Sequence, residues 1–91
     1  MADPVLEYVI SRHAALEMAR RGFDQEIVRR VLTAPEQREA GRAGRDVLQS
    51  RIEFEGRPFL VRVFVDVDRS PAEVVTAYRT SRIQKYWRSQ P

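Results

Sequence analysis

The strongest constraint on the fold is a pair of alternating segments that meet at a glycine. Residues 47–55 and 59–66 alternate between apolar and polar positions, as strands with one buried face do. Between them, Gly56-Arg57 has the Gly-X pattern of a two-residue type II′ turn, which predicts a β-hairpin. With that turn, the pairs on the core face are Phe54 with Phe59, Ile52 with Val61, Ser50 with Val63 and Leu48 with Val65.

The same register places two arginines opposite each other on the other face of the hairpin. Arg51 would face Arg62, and like charges in directly opposed positions destabilise a sheet. Two explanations remain open. Either a carboxylate such as Glu53 lies between the two guanidinium groups, or the two arginines share a bound phosphate.

Two helices are predicted before the hairpin. The first runs from Arg12 to about Arg21, with Ser11 as its N-cap and Gly22 as its stop. The second runs over residues 25–34, with Asp24 as its N-cap and an end at Pro35.

His13 lies outside the apolar side of the first helix. Glu17, four residues later, is close enough in a helix to pair with the imidazolium and to raise its pKa, which prepares a histidine for proton transfer. The alternative is an ordinary solvated surface histidine. The sequence leaves both interpretations open.

The C-terminal part of the chain predicts a strand followed by a cationic helix. Residues 72–80 are rich in β-branched side chains, and Thr80 or Ser81 can cap a short helix. Ile83, Tyr86 and Trp87 recur there at helical spacing, and we expect Trp87 to pack on the sheet. Four basic residues and no acidic one lie between positions 79 and 88: Arg79, Arg82, Lys85 and Arg88.

These elements predict a single α+β domain over residues 1–91. Two N-terminal helices would pack on a small antiparallel sheet of three or four strands, with a short C-terminal helix after it. Residues 8–10 are either a brief strand or an extended lead-in, and residues 36–45 read as a mobile loop. The helices should cover the face of Ile52 and Val61. The face of Arg51 and Arg62 would be left open or covered only by the C-terminal segment.

Composition narrows the function further. The chain has no cysteine and one histidine, which excludes a structural zinc site and argues against a catalytic metal or a cofactor. No apolar run approaches the length of a bilayer span, and no leader is visible, so we expect a cytoplasmic protein without a membrane partner. The net charge is +3, and fifteen of the sixteen basic residues are Arg. Arg suits bidentate phosphate recognition, although a GC-rich coding sequence also favours it.

Several motifs together resemble a known bacterial family. They are His13-Ala14, Met18, Arg21-Gly22-Phe23, the hairpin, and residues 76–81 running into Lys85-Tyr86-Trp87. The chain resembles the family described as domain of unknown function 4258, and its layout is similar to that of the BrnT and RelE toxins of toxin–antitoxin pairs.

The resemblance implies a RelE-like fold and an RNA-cleaving toxin that a small acidic antitoxin inhibits. It also implies that the toxin can form an oligomer, either with copies of itself or with that antitoxin. RelE-like enzymes cleave RNA without a metal, through basic residues on the sheet and often a C-terminal Tyr. The residues that correspond in layout are Arg51, Arg62, Arg79 and Tyr86. The single lysine departs from these toxins, and His13 belongs to the pattern of the uncharacterised family.

In such a ribonuclease a ribose 2′-oxygen attacks the adjacent phosphate, which requires an acid, a base and cations. We expect the catalytic residues to be His13, Arg62, Arg79 and Tyr86, and the RNA-binding residues to be Arg51, Arg82 and Lys85. Two alternatives use the same basic face. One is a noncatalytic nucleic-acid-binding module with Tyr78, Tyr86 and Trp87 as stacking surfaces. The other is a protein-interaction domain that docks an acidic partner.

Overall fold

Five strands and three helices follow one another along residues 2–22 and 24–89, which are the residues that the computed structural model describes. Their bounds are β1 (Tyr8–Ile10), α1 (Arg12–Arg20), α2 (Gln25–Thr33), β2 (Gln37–Ala40), β3 (Arg45–Phe54), β4 (Arg57–Asp66), β5 (Ala72–Thr80) and α3 (Ile83–Tyr86). Phe23 of the Arg21-Gly22-Phe23 motif lies outside the described residues.

The strands form one sheet in the order β1-β5-β4-β3-β2. Strands β2 to β5 pair antiparallel, whereas β1 pairs parallel with β5. The α+β class is therefore confirmed, but the prediction of a purely antiparallel sheet of three or four strands is wrong. The sheet is mixed because β1 and β5 lie side by side and run in the same direction. Parallel neighbours need a long connection, which the helices and the strands β2 to β4 supply.

The hairpin of β3 and β4 turns one residue earlier than the sequence suggested. Phe54 pairs with Arg57, so the two turn residues are Glu55 and Gly56, with φ angles of 53° and 80°. Positive φ at both central residues is the type I′ geometry that matches the twist of a hairpin. The predicted Gly56-Arg57 turn is wrong because a Glu stands where this turn usually has Asn or Gly. The faces of both strands are as predicted, since every partner shifts by two positions.

A second correction concerns the segment that read as a mobile loop. Strand β2 pairs with β3 from Gln37↔Gln49 to Ala40↔Asp46, and a short turn at Gly41–Gly44 joins the two strands. An edge strand is held by backbone hydrogen bonds and needs no apolar face. Arg38 adds a cross-strand ion pair, with its Nε 2.8 Å from Asp46 Oδ2. The absence of an apolar period therefore did not exclude a strand.

The two N-terminal helices form as the sequence predicts. Ser11 Oγ accepts from Ala14 N at 3.0 Å, and Asp24 Oδ1 accepts from Ile27 N at 3.3 Å, so both N-caps are confirmed. Their apolar sides pack on the sheet face that carries Ile52 and Val61, and each fully buried aliphatic side chain there stabilises the fold by about 1.5–3 kcal/mol. None of the described helices is long and apolar enough to cross a bilayer. The sheet face opposite the helices positions the candidate site.

Candidate functional site

Arg62 lies at the centre of the sheet face opposite the two helices. Only 7% of its surface is exposed. Its Nε donates to Gln49 Oε1 at 2.9 Å and its Nη1 to Tyr78 Oη at 2.8 Å, because the register places Gln49 and Tyr78 directly beside it on β3 and β5. Its Nη2 donates to Glu39 Oε2 at 3.2 Å. Arg62 is therefore a buried cation whose three nitrogens all have partners within the protein.

Tyr86 covers Arg62 from the C-terminal helix. The Arg62 guanidinium carbon lies 4.3 Å from the centre of the Tyr86 ring, which is a cation–π contact. The Tyr78 and Tyr86 rings meet edge to face, with their centroids 6.4 Å apart. The Tyr78 hydroxyl lowers the pKa of the Tyr86 phenol most, and the charges of Lys85 and Arg62 lower it further. This phenol is thus easier to ionise than an ordinary tyrosine.

Two glutamines anchor the C-terminal segment, residues 82–89, to the sheet. Gln49, which is fully buried, donates from Nε2 to Tyr86 O at 3.1 Å and to Gln37 Oε1 at 2.7 Å. Gln37 in turn binds both backbone groups of Arg88, accepting from its N at 3.1 Å and donating to its O at 2.7 Å. The side-chain amide of Gln37 therefore acts as a strand backbone would, and it fixes residues 86–88 over the sheet.

Arg51 stands at the side of this arrangement, against Trp87. Its Nε and Nη2 each lie 3.1 Å from a carboxylate oxygen of Glu36, and its guanidinium carbon lies 4.0 Å from the centre of the Trp87 ring. The paired guanidinium lowers the pKa of the Glu36 carboxyl. In the observed register, Arg51 on β3 pairs with Leu60 on β4, not with Arg62. The predicted pair of opposed arginines is wrong, and the carboxylate partner of Arg51 is Glu36 instead of Glu53.

Arg79 lies on the opposite side of the sheet from Arg62. Its partner on β4 is Val61, a core residue, and its guanidinium carbon lies 4.5 Å and 5.1 Å from the ring centres of Phe54 and Phe59. Successive residues of a strand alternate faces, so Tyr78 joins Arg62 while Arg79 does not. The structure thus separates two arginines that the sequence placed in one catalytic set.

His13 also lies away from Arg62 and Tyr86. It is exposed on α1, which packs on the other face of the sheet. Of the two interpretations that the sequence left open, the pairing of His13 with Glu17 is not observed: the carboxylate lies 3.2 Å from Arg20 Nη1 and 3.1 Å from Arg21 Nη2. The two arginines compete better for Glu17 because they are permanently charged.

The predicted site residues therefore fall into two groups. Arg51, Arg62, Lys85 and Tyr86 gather on the sheet face opposite the two helices, which the C-terminal segment partly covers, and the exposed Arg82 directly precedes α3. His13 and Arg79 belong to the helix-covered side. Sequence reasoning missed Gln37 and Glu39, which lie in the segment read as a loop. The one signal in the sequence was that Gln49 shares its face of the predicted hairpin with Arg51 and Arg62.

Glu39 links this network to the C-terminal segment. Its Oε2 accepts from Arg62, while Arg88 Nε lies 3.1 Å from its Oε1, so one carboxylate serves two arginines. Within residues 2–22 and 24–89, no group of three or more His, Asp or Glu side chains is arranged to hold a metal ion. The groups on this face that suit proton transfer and charge stabilisation are the phenol of Tyr86, whose pKa is lowered, and the cations around it.

Comparison with known proteins gives one match. No curated protein and no solved structure matches the chain significantly. The family model described as domain of unknown function 4258 matches residues 10–79, which include β3 and β4, all but the last residue of β5, and no part of α3. Since this match covers most of the chain, the protein belongs to the domain of unknown function 4258 family.

Proposed function

We propose that this protein is an endoribonuclease toxin, similar to BrnT and RelE, that cleaves RNA without a metal and is neutralised by a small acidic antitoxin. The observation that carries the proposal is the position of Tyr86. Its phenol, of lowered pKa, lies against the buried Arg62 cation and next to the exposed Lys85, on the sheet face opposite the two helices. A proton-transfer group among cations is what cleavage by the 2′-oxygen requires.

In the proposed reaction the 2′-oxygen forms a bond to phosphorus while the bond from phosphorus to the 5′-oxygen breaks. Tyr86, as phenolate, takes the proton of the 2′-hydroxyl, and water or the phenol returns a proton to the 5′-oxygen. Lys85 and Arg82, both exposed, hold the phosphate. Arg62 acts through the positive potential of a buried charge, because its nitrogens are occupied by protein partners.

His13 and Arg79 have no part in this version of the reaction. Both lie on the helix-covered side of the sheet, away from Tyr86. Arg51 remains an RNA-binding residue through its contact with Trp87. The antitoxin would bind over the C-terminal segment, because an acidic protein complements the exposed cations Arg82 and Lys85.

A second function is favoured by one observation. All three nitrogens of Arg62 are engaged by Gln49, Tyr78 and Glu39, which is the arrangement of a cation with a structural role. A module that binds RNA without cleaving it would use the same outer residues, and it would not need a reactive phenol.

The experiment that separates the two functions is an RNA-cleavage assay. Purified protein is incubated with total RNA in the presence of a chelator, with and without ribosomes. We expect cleavage by the wild type, and a loss of about 10²- to 10⁴-fold in rate for Tyr86→Phe. Tyr8→Phe is the matched control, because Tyr8 lies on β1 and against the helix-side core. RNA binding without cleavage under every condition would favour the second function, and the absence of both would refute both.

A further inference from the structure

A cleft beside Trp87 is the feature from which we infer a binding site. It has a volume of about 390 Å³, within the range of ligand sites in proteins. It lies between the end of α2, the start of β2 and the C-terminal segment. Its lining residues are Ala34, Pro35, Glu36, Gln37, Arg51, Trp87 and Arg88.

Trp87 and the Arg51 guanidinium that lies against it form the Trp87–Arg51 surface at one side of this cleft. Hydrogen bonds within the protein fix this surface in position. Both carboxylate oxygens of Glu36 bind Arg51, and Trp87 N donates to Ile83 O at 2.9 Å. The hydrogen bonds of Gln37 to the neighbouring Arg88 fix the segment on the other side of Trp87. A fixed aromatic surface loses little conformational entropy when a planar ligand stacks on it.

The charge of the cleft distinguishes a base from a phosphate as its ligand. The Arg51 cation is already neutralised by Glu36, and Glu36 itself lines the cleft and would repel a phosphate. The half-buried Trp87 and the guanidinium plane of Arg51 offer stacking surfaces that do not depend on charge. A nucleobase, which is planar, uncharged and heterocyclic, therefore fits this cleft better than a phosphate does.

Cations next to the cleft suit the rest of a nucleic-acid strand. An adjoining cleft of about 400 Å³ shares Ala34, Glu36 and Arg51 with the first and is lined further by Arg29 and Arg30. Arg30 makes no ion pair among the described residues, and the exposed Arg82 and Lys85 precede Trp87 in the C-terminal segment. Phosphates on either side of a stacked base would thus meet cations.

We propose that this cleft is a subsite for one unpaired nucleobase of single-stranded RNA, which stacks on the Trp87–Arg51 surface. The proposal rests on the RNA-binding part of the proposed function, and it names the substrate group that this part recognises. Trp87 and Arg51 would then position the strand so that a neighbouring phosphate reaches Tyr86.

The test uses the fluorescence of Trp87, the sole tryptophan of the chain. The probes are a short 2′-O-methyl oligoadenylate, which cannot be cleaved by 2′-oxygen attack, and an abasic oligonucleotide of equal length and charge. We expect the oligoadenylate to quench Trp87 and to bind about tenfold more tightly than the abasic probe, as base stacking on aromatic side chains does. Equal affinity for the two probes, no binding of either, or binding without a change in fluorescence would overturn the proposal.

Variants provide a second readout, measured by a labelled probe. Trp87→Leu should bind the oligoadenylate as weakly as the abasic probe. Arg51→Lys, which keeps the charge but lacks the plane, should lose part of the same preference. Phe59→Leu, an aromatic residue on the helix-covered side, is the matched control and should keep it. If Trp87→Leu fails to fold, the wild-type quenching decides.

The outcome is separable from that of the nuclease assay. Quenching by the oligoadenylate with no cleavage of total RNA would refute the nuclease and leave the base subsite standing. Cleavage of total RNA with no preference for the oligoadenylate over the abasic probe would refute the subsite alone.

Discussion

Arg51 and Arg62, two residues of the same hairpin face, have opposite surroundings. The Arg51 side chain is 53% exposed and pairs with a carboxylate at the surface, whereas the Arg62 side chain is 9% exposed within a polar network. Removing one member of a buried ion pair leaves the other without compensation. The cost of a substitution should therefore differ strongly between the two positions.

We predict that Arg62→Gln lowers the free energy of unfolding by about 3 kcal/mol, because Glu39 loses a partner and Gln49 and Tyr78 lose a donor. Arg51→Gln is the matched control and should scarcely change it, since exposed pairs contribute little. Urea denaturation of the three proteins measures both effects. The register predicted from the sequence implies the opposite result, no loss for either variant, so equal stabilities would contradict the observed network.

The lowered pKa of Tyr86 predicts the pH dependence of cleavage. A phenolate base becomes available as the pH rises, so the rate should increase with pH, and the midpoint of this increase should lie below pH 10, the ordinary pKa of tyrosine. Lys85→Gln removes one of the charges that lower this pKa and should move the rise to higher pH. Arg69→Gln, whose partner is Glu73 far from Tyr86 along β5, is the control. A profile that Lys85→Gln leaves in place would exclude Tyr86 as the titrating base.

At the scale of elements, the sequence predicts what local chemistry decides. Ser11 and Asp24 mark the helix starts because a short polar side chain there satisfies backbone N–H groups, and this requires no knowledge of the rest of the chain. Strand β2 escapes prediction because its pairing with β3 is a property of the backbone. The turn at Glu55 escapes it because sheet geometry imposes a positive φ on a residue that disfavours one.

The side chain of Gln37 makes two hydrogen bonds to the C-terminal segment and a third to Gln49, which holds the same segment. We predict that Gln37→Ala releases residues 83–89 from the sheet, because both backbone bonds of Arg88 and one bond of the buried Gln49 disappear together. The emission of Trp87 should shift to the red, and amide hydrogen exchange in this segment should accelerate. Gln84→Ala, an exposed residue of α3, is the control and should change neither. Unchanged emission in Gln37→Ala would mean that Tyr86 and Trp87 hold the segment by packing alone.

At the scale of the whole molecule, most of the positive charge is internally balanced. Nine of the sixteen basic residues form ion pairs within the described residues. The net charge of +3 is thus expressed by a few outer cations, among them Arg82, Lys85 and Arg30. RNA binding should accordingly involve a small number of phosphates.

We predict that the logarithm of the RNA affinity falls linearly with the logarithm of the salt concentration, with a slope near −2 for about three phosphates on a single strand. Titrations of a labelled single strand at several salt concentrations give the slope. Lys85→Gln should reduce the magnitude of this slope by about 0.7. Arg69→Gln should not change it, because Arg69 pairs with Glu73 near the start of β5, far from Lys85 along the chain. A flat response would remove RNA binding from every version of the proposed function.

The candidate site was only partly predictable because it depends on which faces and which registers meet. The sequence indicates that Tyr86 and Lys85 follow a strand, and that Arg62 lies on the face away from the helices. It cannot show that β5 pairs with β4 in the register that puts Tyr78, and not Arg79, beside Arg62, nor that Glu39 reaches across β3 to Arg62. Both facts follow from the packing of distant strands.

The parallel pairing of β1 with β5 has a consequence for the time at which the molecule acquires its shape. Tyr8 is the partner of Ala72, 64 positions further along the chain, and α1 packs mainly on the same last strand. While the chain is being synthesised, β1 and α1 therefore lack their main partner until β5 has been made, and contacts of such separation form late. The sheet of this protein is therefore complete only after β5 has been synthesised and has joined β1, which is the first strand to be made.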